Sequence, residues 1–139
     1  MKIITNEIKL ETQGDTDIIN ITDKVSDLLT RSKLNEGAVF LFVVGSTAGL
    51  TTCEYEPALV SDLRELFEKI IPKNASYAHD STWGDANGYS HLRAALLGPS
   101  LTIPFIKGQL ILGTWQQIVL IDFDNRPRQR KIIAQVQGE

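Results

Sequence analysis

The sequence holds a single cysteine, Cys53, so no intramolecular disulfide can form and an oxidising compartment is neither required nor implied. It has no cationic excess. Fourteen Lys and Arg against 17 Asp and Glu give a formal charge of -3, which offers no general attraction to nucleic acid or to anionic membranes. It also has no long apolar run: the opening MKIITNEIKLETQGDTD alternates polar with apolar residues, and is expected to be neither a signal peptide nor a membrane span. Internal repeats, low-complexity tracts and interdomain linkers are absent as well. The expectation is a soluble cytoplasmic protein with no nucleic-acid or membrane partner. Its 139 residues, 42% of them hydrophobic, suffice for one core and hence for a single domain over 1–139. Histidine is scarce too, occurring only as His79 and His91.

What is present reads as alternating strands and helices. Ile4, Ile8 and Leu10 recur at even spacing over 2–11, the period of a half-buried strand. Thr22 can cap a helix with Val25, Leu28 and Leu29 on its apolar side, ending at Asn35-Glu36-Gly37. AVFLFVV (38–44) predicts a central strand, GSTAG (45–49) a break, and LTTCEYE the next strand. Pro57 opens a helix with Leu59, Leu63, Leu66, Phe67, Ile70 and Ile71 at helical spacing, stopped by Pro72. Ser90 can cap a short helix through Leu97. LTIPFI, a Lys107-Gly108 turn and QLILGTWQQIVLIDFD predict a hairpin, and KIIAQVQ a last strand. The expected class is α+β, with largely antiparallel sheets packed by two or three helices.

Both histidines fall in YAHDSTWGDANGYSHLRAALLGPS (77–100), with Asp80, Asp85 and Asn87 between them. Imidazole nitrogens suit zinc and other first-row metals, but two ligands do not complete a site, and Asp80, Asp85, Asn87 or Glu54 would have to join. A second reading needs no metal. His91 lies in the first turn of a helix, where free N–H groups and the dipole favour an anion such as phosphate and lower the imidazole pKa. A third makes both ordinary loop and helix-end residues. GSTAG can form an anion nest or merely a tight turn. Glu54 and Glu56 share a strand face and can act as base and ligand, or simply face solvent. Trp115 and Gln117 share one face of a strand and Gln116 the other, which suits a flat ring or a core position. Arg126, Arg128, Arg130 and Lys131 suit an anionic ligand, a neighbouring subunit or a solvated turn.

Taken together, GSTAGLTTCEYEP, YAHDSTWGDANGYSHLRAALLGPSLTIPF, GQLILGTWQQIVLIDFDNRPRQR and the terminal QGE resemble the YjbQ-like family, often labelled secondary thiamine-phosphate synthase. The pattern carries over at Thr47, Ala48, Glu54, Asp62, His79, Asn87, His91, Gly98, Ser100, Gly113, Trp115 and Gln116. It departs at Ser46 and Tyr89, where many relatives have histidine, so a three-histidine metal site is not available. The resemblance implies a fold of β-sandwich character, a homotrimer, and the joining of a pyrimidine diphosphate to a thiazole phosphate with release of pyrophosphate. In that reading His79 and His91 hold a divalent metal (zinc or magnesium) or the diphosphate, and Glu54 is base or third ligand. Ser46, Thr47, Asn87, Ser100 and Gln116 then bind substrate, Trp115 stacks on a ring, and the terminal Gly138-Glu139 reaches a neighbouring subunit. The rival expectation is a non-catalytic homotrimer that binds a metabolite or a metal.

Overall fold

The computed structural model describes all residues, Met1–Glu139. Eight strands form two antiparallel sheets. The larger orders β1 (Lys2–Thr12), β8 (Arg128–Gly138), β3 (Glu36–Val44), β5 (Ser100–Ile106) and β6 (Gln109–Leu110). The smaller orders β2 (Asp17–Asn20), β7 (Gln116–Asp122) and β4 (Ala48–Glu54). Four helices accompany them: α1 (Thr22–Ser32), α2 (Pro57–Ile70), the one-turn α3 (Asp80–Trp83) and α4 (Gly88–Leu97). The class is α+β with antiparallel sheets, as expected from the hairpin-linked strands of the second half. No helix is long and apolar enough to cross a membrane.

Period-two patterning decides which faces meet. Val39, Leu41 and Val43 of β3 and Ile132, Ala134 and Val136 of β8 point inward, against Leu50, Ile118 and Leu120 of the smaller sheet, and α1 closes this cluster with Val25, Leu28 and Leu29. On the other side of β7, Val119, Ile121 and Phe123 pack with Ile18, Phe67 and Ala94 beneath α2 and α4. β7 therefore lies between two apolar layers, which is why VLIDF is buried at every position.

Several expectations need correction. β3 is apolar throughout yet covered on one face only; Phe40, Phe42 and Val44 are exposed. Thr22 does not cap α1: its hydroxyl accepts from the Ile118 N–H (2.8 Å), while the Asn20 side chain accepts from the Thr22 N–H (3.0 Å). Ser90 lies buried inside α4 rather than at its cap. α2 packs through Val60, Leu63 and Phe67, the last edge-on to Phe123 with centroids 4.8 Å apart, whereas Leu66 and Ile70 are exposed. The second hairpin arm is short: β6 ends at Leu110, and Trp115 sits in a turn before β7.

Six connections pass between the sheets, and three of them, β1 to β2, β3 to β4 and β7 to β8, do so at the same end of the sandwich. Register fixes this, because Thr12 pairs with Arg128, Asp17 with Asp122, and Ala48 with Asp122.

Candidate functional site

That end carries charges in the core. Asp122 and Asp124 are fully buried. Arg130 grips Asp122 with two hydrogen bonds, Nε to Oδ2 (2.7 Å) and Nη2 to Oδ1 (2.8 Å), and Nη2 also donates to the Thr47 hydroxyl. Thr47 in turn donates to Asp124 (3.0 Å), which accepts from Arg128 Nε (2.7 Å) and from the Asn125 N–H (2.8 Å). Burial alone would raise the Asp124 carboxyl, but the hydrogen bonds from Arg128, Asn125 and Thr47 and the Arg128 charge outweigh it and hold it below its ordinary value. The outer edge of Arg130 remains free: Nη1 makes no hydrogen bond within the chain and lies against Gly45, where a Cβ would come within 2.7 Å of it.

Over this layer sits the histidine segment. Asp80 accepts from the Gly88 N–H (2.9 Å), tying the loop after His79 to the first turn of α4. Gly88 permits the approach, since a Cβ there would meet Tyr77 Cβ at 2.8 Å and Asp80 Oδ1 at 2.9 Å. The two imidazoles consequently face each other, with ring centroids 4.4 Å apart. Burial first, then the neighbouring His79, lowers the His91 pKa, more than Asp124, Asp85 and a backbone hydrogen bond with Ser46 raise it. His91 is thus held neutral near pH 7 and can accept a proton. Asn87 reaches Asp124 through Nδ2 (3.5 Å), while its Oδ1, like Nδ1 of His79, is buried without a partner. These groups, with Ser46, Trp83 and Asp85, line an open depression of about 420 Å³.

The expected site residues thereby separate into groups. Ser46, Thr47, Asn87, His79 and His91 come together, although Thr47 is a buried bracket between Arg130 and Asp124. Glu54 stands at the far end of the seven-residue β4, roughly 20 Å from Ala48 at about 3.3 Å per residue. Within one chain it can be neither base nor ligand for the histidines. Trp115 and Gln116 share that distant end, since Gln116 pairs with Glu54. The Gln116 amide is engaged locally, accepting from the Gly113 N–H and donating to Thr52, and Trp115 is 72% exposed. Glu56 is no partner for Glu54 either: its carboxylate caps α2 by accepting from the Ala58 and Leu59 N–H groups. Ser100 begins β5 opposite Phe42, outside the depression. Gly138 lies beside Lys2 and Gly37, at the opposite end of β8 from Arg130.

Sequence reasoning missed Trp83, which supplies the aromatic surface beside the histidines, and the Asp122–Asp124 pair. The latter left a signal: in IDFD two carboxylates and in RPRQR three guanidiniums recur at every second residue, a spacing that puts like charges on one strand face and rarely belongs to a buried strand unless the two sets pair.

No third imidazole, thiolate or carboxylate joins His79 and His91 in a group able to hold a metal ion. The donors therefore do not fit a resident zinc with three protein ligands, nor the carboxylate-rich shell that magnesium favours.

The family profile described as "UPF0047 protein YjbQ-like" matches residues 6–139. The chain belongs to this family. A UPF0047 protein of Methanothermobacter thermautotrophicus is 40% identical over 139 residues, covering 100% of this chain and 95% of the relative. Among solved structures, a YbjQ-like protein of unknown function from Sulfolobus solfataricus superposes with a TM-score of 0.94 at 30% identity, covering 99% of each chain. An uncharacterized conserved protein of the family from Clostridium acetobutylicum gives 0.85 at 33%, covering 93% of this chain and 97% of that one.

Proposed function

We propose that the chain binds a small phosphorylated metabolite, with the phosphoryl group seated between His79, His91, Ser46 and the outer edges of Arg128 and Arg130. The observation that carries this reading is the closely faced histidine pair beside guanidiniums whose inner edges are already engaged by Asp122 and Asp124. The buried carboxylates cancel the cationic charge from behind, so the depression presents aimed N–H groups rather than a bulk positive field. Such a surface suits a phosphate oxygen and disfavours a bare cation. Titrating inorganic phosphate and pyrophosphate into the protein by calorimetry tests this: His91→Ala should weaken binding at least tenfold, and equal affinity in the variant would refute it.

A transferase form of the same reading has His91 and the guanidiniums hold the leaving diphosphate of a pyrimidine diphosphate while the nitrogen of a thiazole phosphate displaces it from the pyrimidine methylene carbon, so that the N–C bond forms as the C–O bond breaks and pyrophosphate departs. Release of pyrophosphate from those two substrates above a His91→Ala control is its assay. Non-catalytic binding is the form that the geometry supports better, because Glu54 stands far from the pair. The exposed row Phe40, Phe42 and Val44 supports association of the chain into the homotrimer that the family resemblance implies.

A further inference from the structure

The depression continues past His91. Gly45, Ser46 and His91 also wall a second, adjoining hollow of about 360 Å³, completed by Ala48, Ala94, Ala95 and Pro99. Apart from His91 at the shared boundary, no ionisable side chain lines it. Its lining is preformed by backbone bonds to both sheets: the Val43 N–H donates to the Pro99 carbonyl (2.9 Å) and the Leu50 N–H to the Gly98 carbonyl (3.0 Å). The end of α4 packs closely on β4, since a Cβ on Gly49 would lie 2.8 Å from the Leu97 side chain. Alanine at 94 and 95 leaves the wall of α4 low where a larger residue would occupy the space.

We infer that this hollow receives the apolar, ring-sized body of the same ligand whose phosphoryl group the histidine depression takes. The protein would then select phosphate or diphosphate esters of compact apolar groups over sugar phosphates. The inference rests on the phosphoryl reading above and adds the ligand's class. A pocket of roughly 150 Å³ holds a benzene ring, so the hollow accepts one ring with substituents. A polyhydroxylated chain would find only Ser46 and His91 as side-chain partners there, and hydroxyls buried without partners weaken binding. A rigid apolar wall beside a few aimed polar groups is the usual composition of a small-molecule site.

The test uses three probes on the full chain, measured by calorimetry: inorganic phosphate, glycerol 1-phosphate and phenyl phosphate. Phenyl phosphate should bind at least tenfold tighter than either of the others. Ala95→Leu, at an exposed helical position where leucine is nearly as good a helix former as alanine, should fill the hollow and abolish that advantage while leaving the affinity for inorganic phosphate unchanged. If inorganic phosphate binds but phenyl phosphate gains nothing, the apolar subsite is refuted and the phosphoryl site stands. If the advantage survives Ala95→Leu, it arises elsewhere, as on Trp83, and the inference fails. If inorganic phosphate itself does not bind, the phosphoryl reading falls and takes the subsite with it.

Discussion

Replacing Arg130 with methionine keeps most of the side-chain volume and removes the guanidinium. Asp122, fully buried, would lose both N–H groups of its bidentate partner and keep the Thr12 hydroxyl and the Asp124 N–H. Breaking a buried pair from one side typically costs about 3–5 kcal/mol, because the remaining charge is stranded. For 139 residues the entropy of unfolding is about 0.3 kcal/mol/K, so the melting temperature should fall by roughly 10–17 °C. Urea denaturation gives the free energy directly. The double variant Asp122→Asn/Arg130→Met should be less destabilised than the sum of the single changes, since no charge is then left unpaired. A loss below about 1 kcal/mol, or strict additivity, would refute the assignment of this pair as a structural bracket beneath the site.

Gly88→Ala should push the Tyr77–Asp80 segment outward by up to about 0.7 Å to reach ordinary contact distance. Phosphate affinity should drop at least threefold, while stability changes by only about 1 kcal/mol as helix propensity offsets overpacking; calorimetry and urea titration read the two effects separately. The lowered His91 pKa means that folding favours its neutral form, so this stabilisation is full above the ordinary histidine pKa and is lost as pH falls below it. The urea midpoint should therefore decline between pH 7.5 and 5.5, less steeply in His91→Asn. Asp124, also lowered, adds a separate decline only below the ordinary carboxylate range. Phe67→Ala should cost about 3–5 kcal/mol and Leu66→Ala under about 1, a contrast that reports which face of α2 is buried. Sedimentation should give a species near three times the 15.4 kDa chain mass, and Phe42→Lys should dissociate it.

Local order was readable wherever a periodic pattern met one burial environment. The helix after Pro57 and the alternating segments 2–11 and 131–137 follow directly from spacing, and the structure extends those strands to 2–12 and 128–138. The sequence pattern misleads where tertiary context decides. Leu66 and Ile70 fit the helical period but lie exposed, off the face that Val60, Leu63 and Phe67 bury. Trp115 looks like a strand residue because its neighbours are β-formers, yet the turn at Gly113–Gln116 precedes the pairing. The two histidines share a segment, so their proximity could be anticipated. Their distance from Glu54 could not, because β4 runs away from the site for its whole length and single-chain spacing carries no direction.

The order of strands has a consequence for synthesis. β8, the last strand made, pairs with β1 on one side and β3 on the other. Until β8 emerges from the ribosome, β1 and β3 have no common partner, and the nascent chain presents two unpaired strand edges. Arg128 and Arg130 arrive with that strand, so the depression that they line is assembled only once β8 has paired. A product truncated before β8 would carry both histidines but lack the two guanidiniums on which the proposed phosphoryl site depends.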